Sequence, residues 1–283
     1  MKNVTPYTLH GDTSSLLLNT PHDDHKMMID GAELNIIHSD MIGRIGTVLV
    51  SHRTWPVSAS AINTALAKAC KRYETTEGHK PGRNITKELR EDVVDELSAK
   101  AAEVRQVIRL YVVGDAMYVG AVGKLADQVV SYLIRHEAID TQITNYDTGK
   151  LGQFMHEFYN NAVAGADGEF AHMDRGVLVS DTLDTFISAT YQLYADDKTK
   201  VSLTRDALLR NPELHTEMYK VNTLGLHYEA LIDVTLKDTG TISAIKCMGE
   251  YEDEDGAHTV YAKSIDTFYR NLTELMSSES EEV

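Results

Sequence analysis

The chain has 283 residues, 42% apolar and 25% charged, with a formal net charge of -16. That length allows one large domain or two ordinary ones, and the composition is that of a globular protein. The charge argues against indiscriminate adhesion to nucleic acid or anionic membranes, and no window approaches the roughly 18 consecutive apolar residues of a membrane-spanning helix.

The N-terminal segment MKNVTPYTLHGDTSS lacks the apolar core of a signal peptide. Two cysteines, Cys70 and Cys247, are too few for a disulfide framework. Both sit in apolar-periodic contexts and are expected to be reduced and buried, which fits the cytoplasm. PHDDH at 21–25 offers metal-ligand residue types, but nothing downstream supplies a matching pair, so it reads as a polar surface loop.

Residues 34–50 alternate loosely and end in an apolar run, which predicts strands. Trp55-Pro56 marks a break. From Ser60 the pattern is helical, with Ala61, Ile62, Ala65, Leu66, Ala69 and Cys70 on one stripe and Lys68, Lys71 and Arg72 off it. Residues 74–83 read as a polar loop. A helix over about 85–106 follows, with Leu89, Val93, Leu97, Ala101 and Val104 on a narrow stripe. Residues 107–113 and 116–121 flank Gly114-Asp115 as a hairpin. A helix over about 123–136 turns Leu125, Ala126, Val129, Leu133 and Ile134 inward.

A strand near 139–145 and a helix near 149–161, with Leu151, Phe154, Met155 and Phe158 inward, come next. NAVAGADG at 161–168 is a candidate hinge, ADDKTK at 195–200 a charged turn, and 204–210 a short helix. Strands at about 224–236 and 241–249 are joined by Lys237-Asp238-Thr239-Gly240. Glu250, Glu252, Asp253, Glu254 and Asp255 read as a charged loop between strands, because the register of a calcium loop is missing. A strand is expected near 258–263. The last helix is expected to start with Ser264 as N-cap and to bury Ile265, Phe268, Tyr269, Leu272 and Met276, before a frayed tail. Helices and antiparallel strands in blocks give an α+β class.

No residue set makes a convincing active site. Gly43-Arg44-Ile45-Gly46 lacks the lysine and Ser/Thr of a phosphate loop. Asp196-Asp197-Lys198, with Asp181 and Asp184 upstream, has the outline of a metal-dependent nuclease, in which acids hold a cation and lysine steadies the attacking water. A solvated turn explains the same residues.

The remaining signal is a basic island. Between Cys70 and Arg90 six cations (Lys71, Arg72, Lys80, Arg83, Lys87, Arg90) face three anions (Glu74, Glu77, Glu88). Lys87 and Arg90 lie in the first turns of the second helix, where the macrodipole disfavours cations by a few tenths of a kcal/mol. That placement suits a phosphate ligand better than it suits stability. A charged helix–loop–helix surface with no ligand is the alternative.

The segments WPVSASAINTALAKA at 55–69, KELREDVVDEL at 87–97, LIDVTLKDTGTISAIKC at 231–247 and HTVYAKSIDTFYRNLTELM at 258–276, with Lys2-Asn3 and Tyr7 at the start, fall in a familiar order. The chain resembles the bacterial recombination-associated protein family RdgC. The resemblance implies one RdgC-like unit over 1–283, with approximate sub-regions 1–164 (strands and a basic helix–loop–helix over 60–106) and 165–283 (antiparallel sheet and helix).

It also implies antiparallel sheets with long projecting helices, a ring-shaped homodimer encircling double-stranded DNA, and inhibition of RecA-type recombination. No enzymatic activity, cofactor, metal or membrane is implied, and the location is cytoplasmic and nucleoid-associated, or host cytoplasm for a viral chain. By position, Lys68, Lys71, Arg72, Lys80, Arg83, Lys87 and Arg90 fall in the family's basic hairpin. Lys100 and Arg105 fall near a dimer contact at the end of the second helix, and Lys198 and Lys200 near a lysine-rich turn. The acidic total departs from the family. It raises a second reading, a protein-directed inhibitor of a nuclease or recombinase carried by a phage or mobile element.

Overall fold

A computed structural model describes residues 1–11, 26–135, 142–155, 186–195, 200–204, 219–228, 231–251 and 253–278. The chain is α+β, with a large antiparallel sheet and a few helices. It divides into two compact units. Unit 1 holds 1–21, 38–49 and 108–283, and unit 2 holds 22–37 and 50–107. These units cut across the expected sub-regions 1–164 and 165–283.

Unit 1 is organised by β1 (Asn3–His10), whose burial alternates and which hides Val4, Tyr7 and Leu9. β1 pairs antiparallel with three partners. These are β12 (Ile242–Cys247) at Asn3 and Val4, β6 (Ala116–Val119) from Thr5 to Thr8, and β7 (Gln142–Asn145) from Tyr7 to His10. From β5 (Val104–Val113) the strand order runs β5–β6–β1–β12–β11–β10–β8–β9. The last four of these are β11 (Ile232–Lys237), β10 (Tyr219–Tyr228), β8 (Phe186–Ala195) and β9 (Lys200–Thr204). The β5–β6 and β11–β12 hairpins stand as expected, the second turning at Gly240 with φ +76°.

The core of unit 1 forms under α4 (Glu254–Ser278). Ile265, Phe268, Tyr269, Leu272 and Met276 are buried, as the sequence predicts. Each such side chain contributes roughly 1.5–3 kcal/mol by leaving water. Polar bonds fix the helix rotation. The Tyr269 hydroxyl donates to the Gly240 carbonyl at 2.6 Å, and that of Tyr118 to Asp266 at 2.8 Å. Asn271 donates to the Tyr228 hydroxyl. Burial, then the Asp266 charge, holds the Tyr118 hydroxyl protonated far above the usual tyrosine range. His258 of α4 meets Arg109 Nη1 at 2.6 Å and the Tyr111 hydroxyl at 2.8 Å.

Unit 2 contains β2 (Met27–Ile29), α1 (Ala59–Glu77), α2 (Arg83–Ser98) and the remaining parts of β3 (Ala32–Ile42), β4 (Ile45–Thr54) and β5. β2 and β3 close on Asp30-Gly31, with φ of +46° and +80°. A two-residue Asp-Gly turn with both φ positive matches the twist of a hairpin. Arg53 on β4 pairs with Glu33 at 3.4 Å and Glu103 at 3.5 Å, tying β4 to the segment before β5.

Several expectations are corrected. α4 begins at Glu254, so 258–263 is helix and no strand, and Ser264 is a buried interior residue and no cap. The N-cap is Asp253, whose carboxylate accepts from the Gly256 N–H at 2.6 Å. The acids at 250–255 therefore lead into a helix, where Glu254 and Asp255 suit the positive end of the dipole. The expected strand 224–236 is two antiparallel strands, β10 and β11, with a reversal between them.

The second basic helix ends at Ser98, short of 106, and Val104, half exposed, starts β5. The polar loop shrinks to 78–82, because α1 continues to Glu77. On α3 (Lys124–Arg135) Ile134 is 53% exposed, while Gln128 and Tyr132 take the buried positions. Cys70 and Cys247 are free but only half-buried. The candidate hinge at 161–168, Phe158 and the tail from 279 lie outside the described residues, as does the expected helix over 204–210 apart from Thr204, which ends β9.

If Asp253 is the cap, Asp253→Ala should lower the unfolding free energy by about 1 kcal/mol. Urea denaturation followed by circular dichroism measures it. An unchanged midpoint would remove the cap assignment.

Candidate nucleic-acid interface

α1 forms because Ser58 caps it, its side chain accepting from the Ala61 N–H at 3.2 Å, and because alanines recur through its first three turns. It stops at Gly78, which adopts φ +74° and donates to the Glu74 carbonyl. His79 then sets its ring edge-on to Tyr73 at 5.7 Å. α2 opens at Gly82 with no side-chain cap and no acid in its first turn. Thr86 returns its hydroxyl to the Gly82 carbonyl at 2.9 Å. The free N–H groups at this end therefore sit beside Arg83 and Lys87 and not beside a carboxylate.

Over 59–98 the hairpin carries seven cations and seven anions, so its net charge is zero. What distinguishes it is segregation. At 100° per residue, Arg83, Lys87 and Arg90 of α2 fall at i, i+4 and i+7 and share one face. Glu88, Glu91, Asp92 and Asp95 gather on another. The apolar stripe, with Val93 buried, lies between them on the inner side.

α1 repeats the arrangement, with Lys68, Lys71 and Arg72 at i, i+3 and i+4, away from Glu74 and Glu77. All seven hairpin cations are exposed. Lys87 reaches Glu91 at 3.7 Å, and Lys68, Lys71, Lys80, Arg83 and Arg90 have no ion pair among the described residues. Lys68, Lys71 and Arg72 line a shallow recess with Thr75 and Thr76. Those two threonines, missed in the sequence reading, complete the face at i+7 and i+8. Their hydroxyls bond back to the Lys71 and Arg72 carbonyls.

The other sequence candidates separate from this pair of faces. Lys100 follows α2 and is engaged with Glu96 at 2.6 Å, and Arg105 is exposed on β5, not on a helix. The Lys100 bond, aided by the Arg72 charge, holds the Glu96 carboxyl below its ordinary range. Lys200 is the first residue of β9, paired in register with Tyr194, and belongs to unit 1. Lys198 and Asp181, Asp184, Asp196 and Asp197 lie outside the described residues, as does 21–25. Among the described residues no three His, Cys, Asp or Glu side chains come together as metal ligands, and no helix is long and apolar enough to cross a membrane.

An antiparallel α+β chain whose exposed helices carry sorted charge defines a candidate polyanion-binding protein. Comparison with known families is more specific. Residues 39–145 match the model of the family described as "Putative exonuclease, RdgC". That span contains the whole basic hairpin, and over it the chain is similar to the RdgC family. No curated protein matches the chain.

Because Arg83, Lys87 and Arg90 are exposed and only Lys87 has an ion-pair partner, replacing all three by Ala should leave the unfolding free energy within about 1 kcal/mol of the parent. Thermal and urea unfolding check this. A larger loss would show that the face is structural.

Proposed function

We propose that the protein binds double-stranded DNA without regard to sequence, as a homodimer that encircles the duplex, and so restrains RecA-type recombination in the nucleoid. The observation that supports this reading is the sorting of cations from anions on α1 and α2. At physiological salt, charges are screened over roughly 8 Å. A phosphate at the Arg83–Lys87–Arg90 face therefore responds to those three cations more than to the acids behind them, or to the net charge of the chain. The uncapped α2 N-terminus adds donors of the right sign.

The reading assigns no catalytic step to the hairpin, which holds exposed cations and no nucleophile–base pair. The family description names an exonuclease, so duplex incubated with Mg²⁺ or Mn²⁺ should be recovered intact for the binding-only reading to stand. A second reading draws on the charge of -16 and on the equal count of acids in the hairpin. In it the acidic faces occupy the DNA site of a nuclease or recombinase.

Phosphate contacts carry no direct base information. Mobility shifts on unrelated duplexes should therefore give one affinity, falling with salt at a log–log slope of roughly -4 to -8, scaled from about -0.9 per phosphate contact. The Arg83, Lys87, Arg90 triple Ala variant should bind all sequences more weakly with a flatter slope. Equal binding by parent and variant would shift support to the protein-directed reading.

Dimerisation has its own readout. Sedimentation equilibrium at micromolar concentration should give twice the chain mass of 31.5 kDa. A monomer mass would exclude the ring.

A further inference from the structure

Unit 1 contains a hollow of about 410 Å³ between β1, the β5–β6 turn, the segment after β7 and the C-terminal half of α4. That is at the small end of the range of ligand sites. Its apolar wall includes Tyr7, Tyr146 and Met276. Tyr146 is fixed in place. Its ring stands edge-on to Tyr269 at 5.3 Å, and its hydroxyl bonds the Thr273 hydroxyl at 2.7 Å.

The lining of the hollow carries three acids and two cations. Asp115, Asp147 and Glu274 stand exposed at its rim. The cation beside them, Arg270, is committed to Asp266 at 2.9 Å and Asp115 at 3.3 Å, and so is unavailable to an incoming anion. Lys150 is the other cation of the lining and has no ion pair among the described residues. The last turn of α4 carries no basic residue, so the negative end of that helix is left uncompensated close to Met276. Carboxylates, a helix C-terminus and the face of a tyrosine all favour a cation. The apolar wall asks for a hydrocarbon stem behind the charge.

We propose that this hollow binds a protonated alkylamine, with its stem along Tyr146, Tyr7 and Met276 and its ammonium between Asp147 and Glu274, the two lining acids that Arg270 does not engage. A lysine side chain of a protein partner and a free polyamine share that chemistry.

Titration calorimetry with spermidine and with a short lysine-containing peptide separates these sources. Saturable binding of either supports the site, and acetylating the peptide lysine should abolish its binding. Glu274→Gln should weaken binding at least threefold, while Lys150→Gln, which removes a competing cation, should strengthen it about twofold. Glu88→Gln, which makes the same change in net charge on α2, should leave it unchanged. Tyr146→Phe should retain binding and Tyr146→Leu should weaken it. If Tyr146→Leu fails to fold, the opposite responses of Glu274→Gln and Lys150→Gln still decide. No saturable binding of either amine, or equal effects of Glu274→Gln and Glu88→Gln, would overturn the proposal and leave only diffuse counterion association.

Discussion

Unit 1 depends on β1. Eight residues near the N-terminus supply backbone partners to strands near residues 118, 144 and 242, so three distant parts of the chain meet on one ladder. The side chain of Thr5 follows the same logic. Its hydroxyl donates to the Ala121 carbonyl, 116 residues away, and lies 3.5 Å from the hydroxyl of Thr241. Such contacts carry a large closure entropy, which the buried face of Val4, Tyr7 and Leu9 and the core under α4 must outweigh. Position 6, Pro6, shows how tight the design is. It stands opposite Tyr118 at a non-hydrogen-bonded pair of that ladder, because the Leu9 N–H bonds the Asp115 carbonyl and bonded pairs alternate along β1. The N–H that proline lacks is therefore not one β6 would receive.

Charge in this protein has to be read at the scale of a helix face. The chain total, the hairpin total of zero and the exposed stripe of three cations give three different answers about affinity for a polyanion. Only the last is on the length scale over which salt water transmits a field. The same scale applies to the hollow in unit 1, where Asp147 and Glu274 and the opposing Lys150 lie in one lining and matter more than the chain total.

Much of this was legible in the sequence, for identifiable reasons. The buried face of α4 was readable because Ile265, Phe268, Tyr269, Leu272 and Met276 keep a helical period through three turns. The β11–β12 turn was readable because Asp-Thr-Gly supplies a glycine where φ is positive. The start of α4 was misread because His258-Thr-Val-Tyr has strand-like composition, and packing within unit 1 overrides that weak preference. The better signal was Asp253 followed by two acids, a cap with a favourable first turn. The end of α2 was overextended because Ala101 and Val104 continue a helical spacing of four and three by coincidence. Charge sorting on the hairpin was available from helical angles alone. It went unread because composition was counted along the chain and not around the helix.

One feature of α1 reaches beyond binding. Over nineteen residues it buries no side chain fully, and α2 buries only Val93. In a fold whose other elements hide tyrosines and phenylalanines completely, these two helices have the least to lose by opening. Their amides would then exchange with solvent through local events well below the free energy of global unfolding. Any ligand that grips the basic faces would do part of its work by suppressing that opening. Its apparent affinity would include the cost of holding a marginal helical hairpin shut.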